Sequence, residues 1–241
     1  MFIDRKNYLV LDEFAKFGIM TIFTDKTFGD ATAKSKDEVL KRLNIKNKQI
    51  VSGHQTHSEN IRVISADSDG KDYFENTDGF ITDMRNIILY AKYGDCLPIF
   101  LLDTQKMVIG VLHSGWKGTF AEIGIKGIDL MGKNYGSLKE DILIGFGVGI
   151  SWEKYEVSID FYEKFSDKFE KSIIDESFIF LKEKIYFDNQ KFNRLNFLKN
   201  GISDNNIITN DLCTYRDKRF FSYRRERNIP GRNAGIIYIK Q

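Results

Sequence analysis

The chain has 241 residues, 42% of them hydrophobic and 29% charged, with 36 Lys and Arg against 34 Asp and Glu. This composition excludes a disordered tail, and a formal charge of +2 gives no bulk electrostatic case for DNA or an anionic membrane as the main partner. Two cysteines, Cys96 and Cys213, do not make a disulfide framework, and a total of three histidines (His54, His57 and His113) excludes any mechanism that needs many imidazoles.

The start, Met1–Val10, is charged early and lacks the apolar core of a signal peptide. Apolar runs such as Ile142–Ile150 are too short to span a bilayer. Together with the free thiols, this predicts a cytoplasmic protein with no membrane partner. No linker, repeat or composition shift divides the chain, which predicts one domain over residues 1–241. The sequence leaves its oligomeric state open.

Taken in order, Tyr8–Phe14 and Gly18–Thr24 read as strands. Ser35-Lys36-Asp37-Glu38 is a capping-box sequence, and Val39, Leu40 and Leu43 give the helix behind it an apolar stripe. Gln49–Ser52 and Ile61–Ile64 read as strands around the segment Gly53–Asn60. Three β-rich runs follow, Ile87–Tyr93, Ile99–Leu102 and Met107–Leu112, and then a helix from Gly118 to Lys133. Ile142–Ile150 reads as a buried strand. Its glycines at 145, 147 and 149 either admit a ligand to the backbone or relieve packing between sheets. They do not follow the GxGxxG dinucleotide pattern. Helices are expected at Asp160–Ile173 and Asn189–Lys199, and strands at Phe220–Arg224 and Ala234–Lys240. Strands and helices mix without a βαβ rhythm, which predicts an α+β fold of mixed sheets packed together and covered by helices.

Three segments hold most of the reactive side chains: Gly53–Ser58, Gly94–Pro98 and His113–Gly118. The second and third lie where β-runs end or turn, the places where a scaffold presents functional groups. One Cys and two His suit a catalytic zinc, with the fourth position left for water or substrate. A structural zinc would take a fourth protein ligand, and Cys213 is the spare. Each of these residues taken singly also reads as a buried thiol or a hydrogen-bonded histidine.

Gln55-Thr56-His57, Asp95-Cys96-Leu97-Pro98 and His113-Ser114-Gly115-Trp116-Lys117-Gly118 resemble the QxH, DCxP and HAGWRG signatures of the YfiH-type family. That family is also labelled laccase-domain or multicopper polyphenol oxidase, and its bacterial members are described as purine nucleoside phosphorylases. The likeness continues through Gly145–Val157, Cys213-Thr214, Phe221–Arg225 and Gly231-Arg232, in order over nearly the whole chain. It implies a layered α/β/β/α arrangement and a metal held by His57, Cys96 and His113. His54 and His57 would point to opposite faces of an extended segment, which argues against both being ligands.

The resemblance implies a zinc-dependent enzyme, with copper the alternative ion. Its reaction would be phosphorolysis of adenosine, inosine or methylthioadenosine to free base and sugar 1-phosphate, with adenosine deamination as a second activity. Cys96, His57, His113 and Asp95 are the expected catalytic residues. Asp95 reads equally as a turn residue or as a partner that orients a histidine. Lys117, Arg224, Arg225 and Arg232 are the expected substrate and phosphate contacts. The run Arg224–Arg227 also reads as a solvated surface. Trp116, Phe221 and Tyr223 are candidates to stack on a purine.

The chain departs from the family pattern at Thr24–Gly29, at Phe146, at Ser151-Trp152, and at Ser114 and Lys117. Multicopper oxidase chemistry conflicts with the histidine count, which leaves only weak oxidation at a single copper. Two other classes compete. One is a cysteine-dependent amide hydrolase acting in peptidoglycan precursor editing, with Cys96 as nucleophile and His113 as base. The other is an RNA-binding module on the C-terminal arginines, which the near-neutral charge disfavours.

Overall fold

The strand Ile87–Tyr93 sets the architecture, because both of its faces are buried. Ile87, Leu89, Ala91 and Tyr93 enter one apolar cluster, while Ile88 and Tyr90 enter another. An almost continuous apolar run is what a strand covered on both sides requires. Leu97–Asp103 divides in the same way. Phe100 and Leu102 face the first cluster, and Ile99 and Leu101 face a third.

The computed structural model describes residues 2–32, 35–66, 68, 70–227 and 231–240. Two mixed sheets pack face to face through the first cluster. A seven-stranded sheet runs in the order Phe2–Asp4, Tyr8–Leu11, Ile19–Thr24, Asn233–Ile239, Ile87–Tyr93, Gln49–Gly53, Tyr73–Phe74. A six-stranded sheet runs Ile207–Ile208, Ile142–Phe146, Leu97–Asp103, Ile109–Ser114, Gly79–Thr82, Ile61–Ile64. Most pairs are antiparallel, with parallel pairs such as Gln49–Gly53 beside Ile87–Tyr93 and Ile61–Ile64 beside Gly79–Thr82.

Helix Lys36–Leu43 covers the outer face of the first sheet through Val39, Leu40 and Leu43. The Ser35 hydroxyl accepts from the Glu38 N–H and the Glu38 carboxylate caps Ser35 in return, so the capping box forms as its sequence predicts. Helices Ile123–Tyr135 and Asn189–Lys199 cover the second sheet through Ile123, Ile128, Met131 and Phe197. The α/β/β/α layering is therefore present. Beside it, a three-stranded sheet (Glu156–Val157, Lys184–Phe187, Phe178–Leu181) shares an aromatic cluster centred on Phe165 with Phe169, Phe187 and Phe192.

Several boundaries differ from those read in the sequence. The expected strand Tyr8–Phe14 stops at Leu11, and Phe14 turns inward from a short helix, Asp12–Ala15. The expected helix Gly118–Lys133 is two helices, Trp116–Phe120 and Ile123–Tyr135, broken at Glu122 with φ 60°. A tertiary contact fixes the break, since the Glu122 carboxylate accepts from Asn196 at 3.1 Å. Asp160–Ile173 divides into Ile159–Ser166 and Lys171–Ser177, which lets Phe165 and Phe169 both enter the aromatic cluster. Phe220–Arg224 is not a strand. Phe220 fills the core 5.5 Å from the Phe23 ring, and Ser222 caps a helical turn, Tyr223–Glu226.

The expected strand Ile142–Ile150 ends at Phe146. Its glycines serve packing: a Cβ on Gly145 would lie 2.4 Å from Leu11, and one on Gly147 would lie 2.6 Å from Pro98. Gly145→Ala is expected to lower stability by about 1–3 kcal/mol through overpacking. Denaturant unfolding checks this, and a neutral result would mean that the Leu11 side is loosely packed.

Candidate metal centre

The chain crosses from the first sheet to the second at Gly94-Asp95-Cys96, between strands Ile87–Tyr93 and Leu97–Asp103. Cys96 therefore sits at the open edge between the two sheets. His113 lies on the adjacent strand Ile109–Ser114, paired with Pro98. His57 reaches the same edge from the turn that follows strand Gln49–Gly53. The ligand atoms of His57, Cys96 and His113 all lie within 4.8 Å of one another. His113 is buried, Cys96 half-buried and His57 exposed, so the cluster opens to solvent on one side.

Both ligand-bearing turns use backbone that favours glycine, with φ of 60° at His57 and 97° at Asp95. Such conformations persist only where their surroundings hold them. Asp78 holds the first. One of its oxygens accepts the His57 N–H at 3.0 Å and the His113 Nδ1–H at 2.8 Å. Its other oxygen accepts the Thr56 and Ser58 N–H groups and the Ser58 hydroxyl. One buried carboxylate thus shapes the His57 turn and orients the His113 ring. Gln55 ties the turn to the first sheet, accepting from the Lys92 N–H at 2.8 Å and donating to the Lys92 carbonyl at 2.9 Å. The Tyr93 hydroxyl donates to the Leu112 carbonyl at 2.9 Å, and its ring stands edge-on to His113.

Asp95 holds the second turn against the C-terminal segment. Its carboxylate accepts the Thr214 hydroxyl and the Arg224 N–H, both at 2.6 Å. It therefore acts as a turn anchor, and the carboxylate that orients a histidine is Asp78. A Cβ on Gly115 would lie 2.9 Å from the His57 ring and 3.0 Å from the Cys96 sulfur, so only glycine leaves the cluster room.

The electrostatics suit a metal. Burial opposes ionisation of Asp78, but bonds from His113 and Ser58 hold its pKa at about 2. Burial raises the Cys96 thiol, and the His113 and His57 rings more than reverse this. Burial disfavours charge on His113, and the Cys96 and Asp78 charges overcome it. Each group's charge favours the other's: His113 lowers the Cys96 thiol and Cys96 raises the His113 ring. The thiolate that a metal needs is thus already favoured. With Nδ1 committed to Asp78, His113 presents Nε2 to the cluster, an arrangement typical of metal-ligating histidines. Tetrahedral zinc would bring its donors to about 3.4–3.8 Å of each other. The residues present fit one ion after an inward shift of about an ångström, with a fourth position open.

Cavities open on two sides of the cluster. A wide cleft of about 680 Å³ reaches out past His54, Lys92 and Arg232. A narrower pocket of about 200 Å³ is walled by Trp116, Tyr155, Asn189 and Arg224. His57, Gly94, Cys96 and Tyr223 line both. Asn189 belongs to a buried polar network, donating to the Ser114 carbonyl at 2.9 Å and accepting the Thr119 hydroxyl at 2.7 Å.

The other residues singled out in the sequence scatter around this centre. Arg232 lines the wide cleft and Arg224 the narrow pocket. The Arg224 guanidinium also reaches the Glu156 carbonyl and lies 5.6 Å from the Tyr155 ring. Arg225 donates to the Thr214, Tyr215 and Phe220 carbonyls and lines neither cavity. Lys117 is exposed over the Trp116 ring and also lines neither. Phe221 packs against Gly231, where a Cβ would lie 2.3 Å from its ring. His54 is at the exposed rim, 3.0 Å from Glu75, and outside the ligand cluster. The backbone there turns after Gly53 and does not continue extended. Cys213 is a buried thiol whose sulfur accepts the Ser151 N–H at 3.2 Å. Sequence reading missed Asp78, Tyr155, Asn189 and Lys92. Only Lys92 carried a local signal, as the one charge in the apolar run Ile87–Tyr93.

The family described as multi-copper polyphenol oxidoreductase laccase matches residues 3–240. The chain belongs to this family. Within the laccase-like family, the chain is 32% identical over 239 residues to a Campylobacter jejuni protein named purine nucleoside phosphorylase Cj1217c, with 98% of each chain covered. It is 42% identical over 154 residues to a purine nucleoside phosphorylase of Borreliella burgdorferi, covering 64% of this chain and 66% of the relative. The crystal structure of the Bacillus licheniformis hypothetical protein YfiH superposes with a TM-score of 0.88 at 25% identity, covering 99% of each chain. Among the described residues, no helix is long and apolar enough to cross a membrane.

Proposed function

We propose that this chain is a zinc-dependent purine nucleoside phosphorylase, one domain over residues 1–241, with its metal on His57, Cys96 and His113. The observation that carries the reading is an open His–Cys–His cluster set between an aromatic pocket and a cationic cleft. The names of the relatives support the substrate class. The reaction transfers a ribosyl group from a purine to phosphate, so it needs a place for a flat base and a place for an anion.

Zinc, when bound, supplies a Lewis acid beside the sugar. Trp116 and Tyr223 offer faces on which a purine stacks. Asp78 fixes the His113 ring and the His57 turn before substrate arrives, so no reorganisation is needed during reaction. Asp95 keeps the pocket wall in place through Arg224 and Thr214. Adenosine deamination belongs to this reading as the lesser activity. The carboxylate nearest the cluster in sequence, Asp95, is already taken up by two hydrogen bonds. A multicopper oxidase is disfavoured by three histidines in the whole chain.

A second reading rests on the closeness of Cys96 to His113, with the thiol lowered by the ring, which suits a cysteine-dependent amide hydrolase. One assay separates the two. Adenosine and inosine are incubated with and without phosphate, before and after chelation, and the products are resolved by chromatography. Free base is expected only with phosphate, and it should disappear on chelation. Base release that ignores both phosphate and chelator contradicts the proposal. Amide hydrolysis by the chelated protein would favour the second reading.

A further inference from the structure

We infer that the wide cleft holds the phosphate, through Lys92 and Arg232, on the side of the His57–Cys96–His113 cluster away from the purine. This rests on the phosphorolytic reading and assigns the anion subsite that the reading leaves open.

The first support is charge. The wide cleft is lined by two basic side chains, Lys92 and Arg232, and by three histidines. Among the described residues, no carboxylate lines it. The narrow pocket differs: it carries Trp116 and Tyr155, and the Asp95 carboxylate lines it beside its one cation, Arg224. An oxyanion is held best by charge-assisted hydrogen bonds, and a flat base by aromatic faces.

The second support is placement. Gly94 lets the Arg232 side chain lie across the turn that carries Cys96, since a Cβ there would come within 3.0 Å of the Arg232 Cδ. Tyr223 lies 5.7 Å from the same guanidinium. The Lys92 backbone N–H and carbonyl both bond the Gln55 side chain, so the Lys92 side chain leaves the sheet beside the His57 turn and enters the wide cleft. The two cationic side chains therefore enter the cleft from beside two different turns, those of His57 and Cys96, and an anion between them would sit against the cluster.

The third support is the direction of the chemistry. In phosphorolysis the C1′–N9 bond breaks and its electron pair leaves with the purine. A phosphate oxygen forms the new bond to C1′, and the proton of hydrogenphosphate ends on the base. In-line displacement needs nucleophile and leaving group on opposite sides of C1′. Cavities on two sides of one cluster meet that need when the cationic one takes the phosphate.

The test uses zinc-loaded protein and inorganic phosphate. Lys92→Met and Arg232→Lys are compared with wild type for the apparent KM of phosphate, the KM of inosine, zinc content, and phosphate binding by calorimetry without nucleoside. Each variant should raise the phosphate KM and weaken phosphate binding by roughly tenfold. The inosine KM should stay within about twofold and zinc content should be unchanged. Lys92→Met decides alone if Arg232→Lys folds poorly. Unchanged phosphate binding in Lys92→Met, or a loss seen only in Lys117→Met, would overturn the assignment while leaving wild-type phosphorolysis intact. Phosphate binding that weakens in these variants of a protein that never releases base would instead keep the subsite and remove the phosphorylase reading.

Discussion

Cys96→Ala is expected to leave the purified protein with little metal and to lower base release by roughly a thousandfold, the scale of several kcal/mol of Lewis-acid stabilisation. Cys96 supplies the only sulfur of the cluster, and its removal leaves two imidazoles facing an open cavity. Two neutral ligands hold zinc far more weakly than a set that includes a thiolate. His113→Ala should act similarly and also leave the Asp78 carboxylate with one fewer partner in the interior. His54→Ala should retain full metal, because His54 sits at the rim beside Glu75. Elemental analysis of the four proteins checks this. Normal metal content in Cys96→Ala would remove the proposed ligand set.

Asp78→Asn should weaken zinc binding by about 10–100-fold, the usual cost of losing a carboxylate behind a metal-ligating histidine. It should also destabilise the metal-free protein by about 1–3 kcal/mol, because donors of the His57 turn and the His113 ring lose their buried acceptor. An amide cannot replace the carboxylate. Asp78 receives donors on both oxygens, and the Asn NH₂ would point a donor at other donors. The sign of the pH effect follows from the lowered pKa. Asp78 titrates at about 2 in the folded chain against an ordinary 3.8. Its contribution, about 2 kcal/mol, is complete above about pH 4 and is lost as pH falls through about 2. Acid unfolding of metal-free wild type should show this loss, and Asp78→Asn should not. Overlapping acid profiles would mean that Asp78 is not the anchor of the two histidine segments.

The parts of the site legible in the sequence were those with local signals. His57, Cys96 and His113 stand in short motifs at strand ends, and the structure brings their ligand atoms together. The layered fold was legible in outline because strands such as Ile87–Tyr93 carry apolar residues on both faces. Asp78 was not legible. Its role depends on a partner 35 positions away and on burial that no local pattern encodes. The same limit explains Phe220–Arg224, where aromatic residues suggest a strand but Phe220 serves the core between the sheets. It also explains Glu122, whose left-handed backbone is fixed by Asn196 in a distant helix. Arg224 and Arg225 look equivalent in sequence, yet one lines a cavity and the other binds three carbonyls.

The proposed chemistry requires a single metal held by one sulfur and two imidazoles with a position left open. X-ray absorption at the zinc edge of the reconstituted wild-type protein tests it most directly. The expected spectrum shows one sulfur at about 2.3 Å, nitrogen or oxygen neighbours at about 2.0–2.1 Å, and a light-atom ligand that exchanges when phosphate or inosine is added. A shell with two sulfurs would bring in Cys213 and close the site, and a shell with none would place the metal elsewhere; either result would rule out an open His57–Cys96–His113 site.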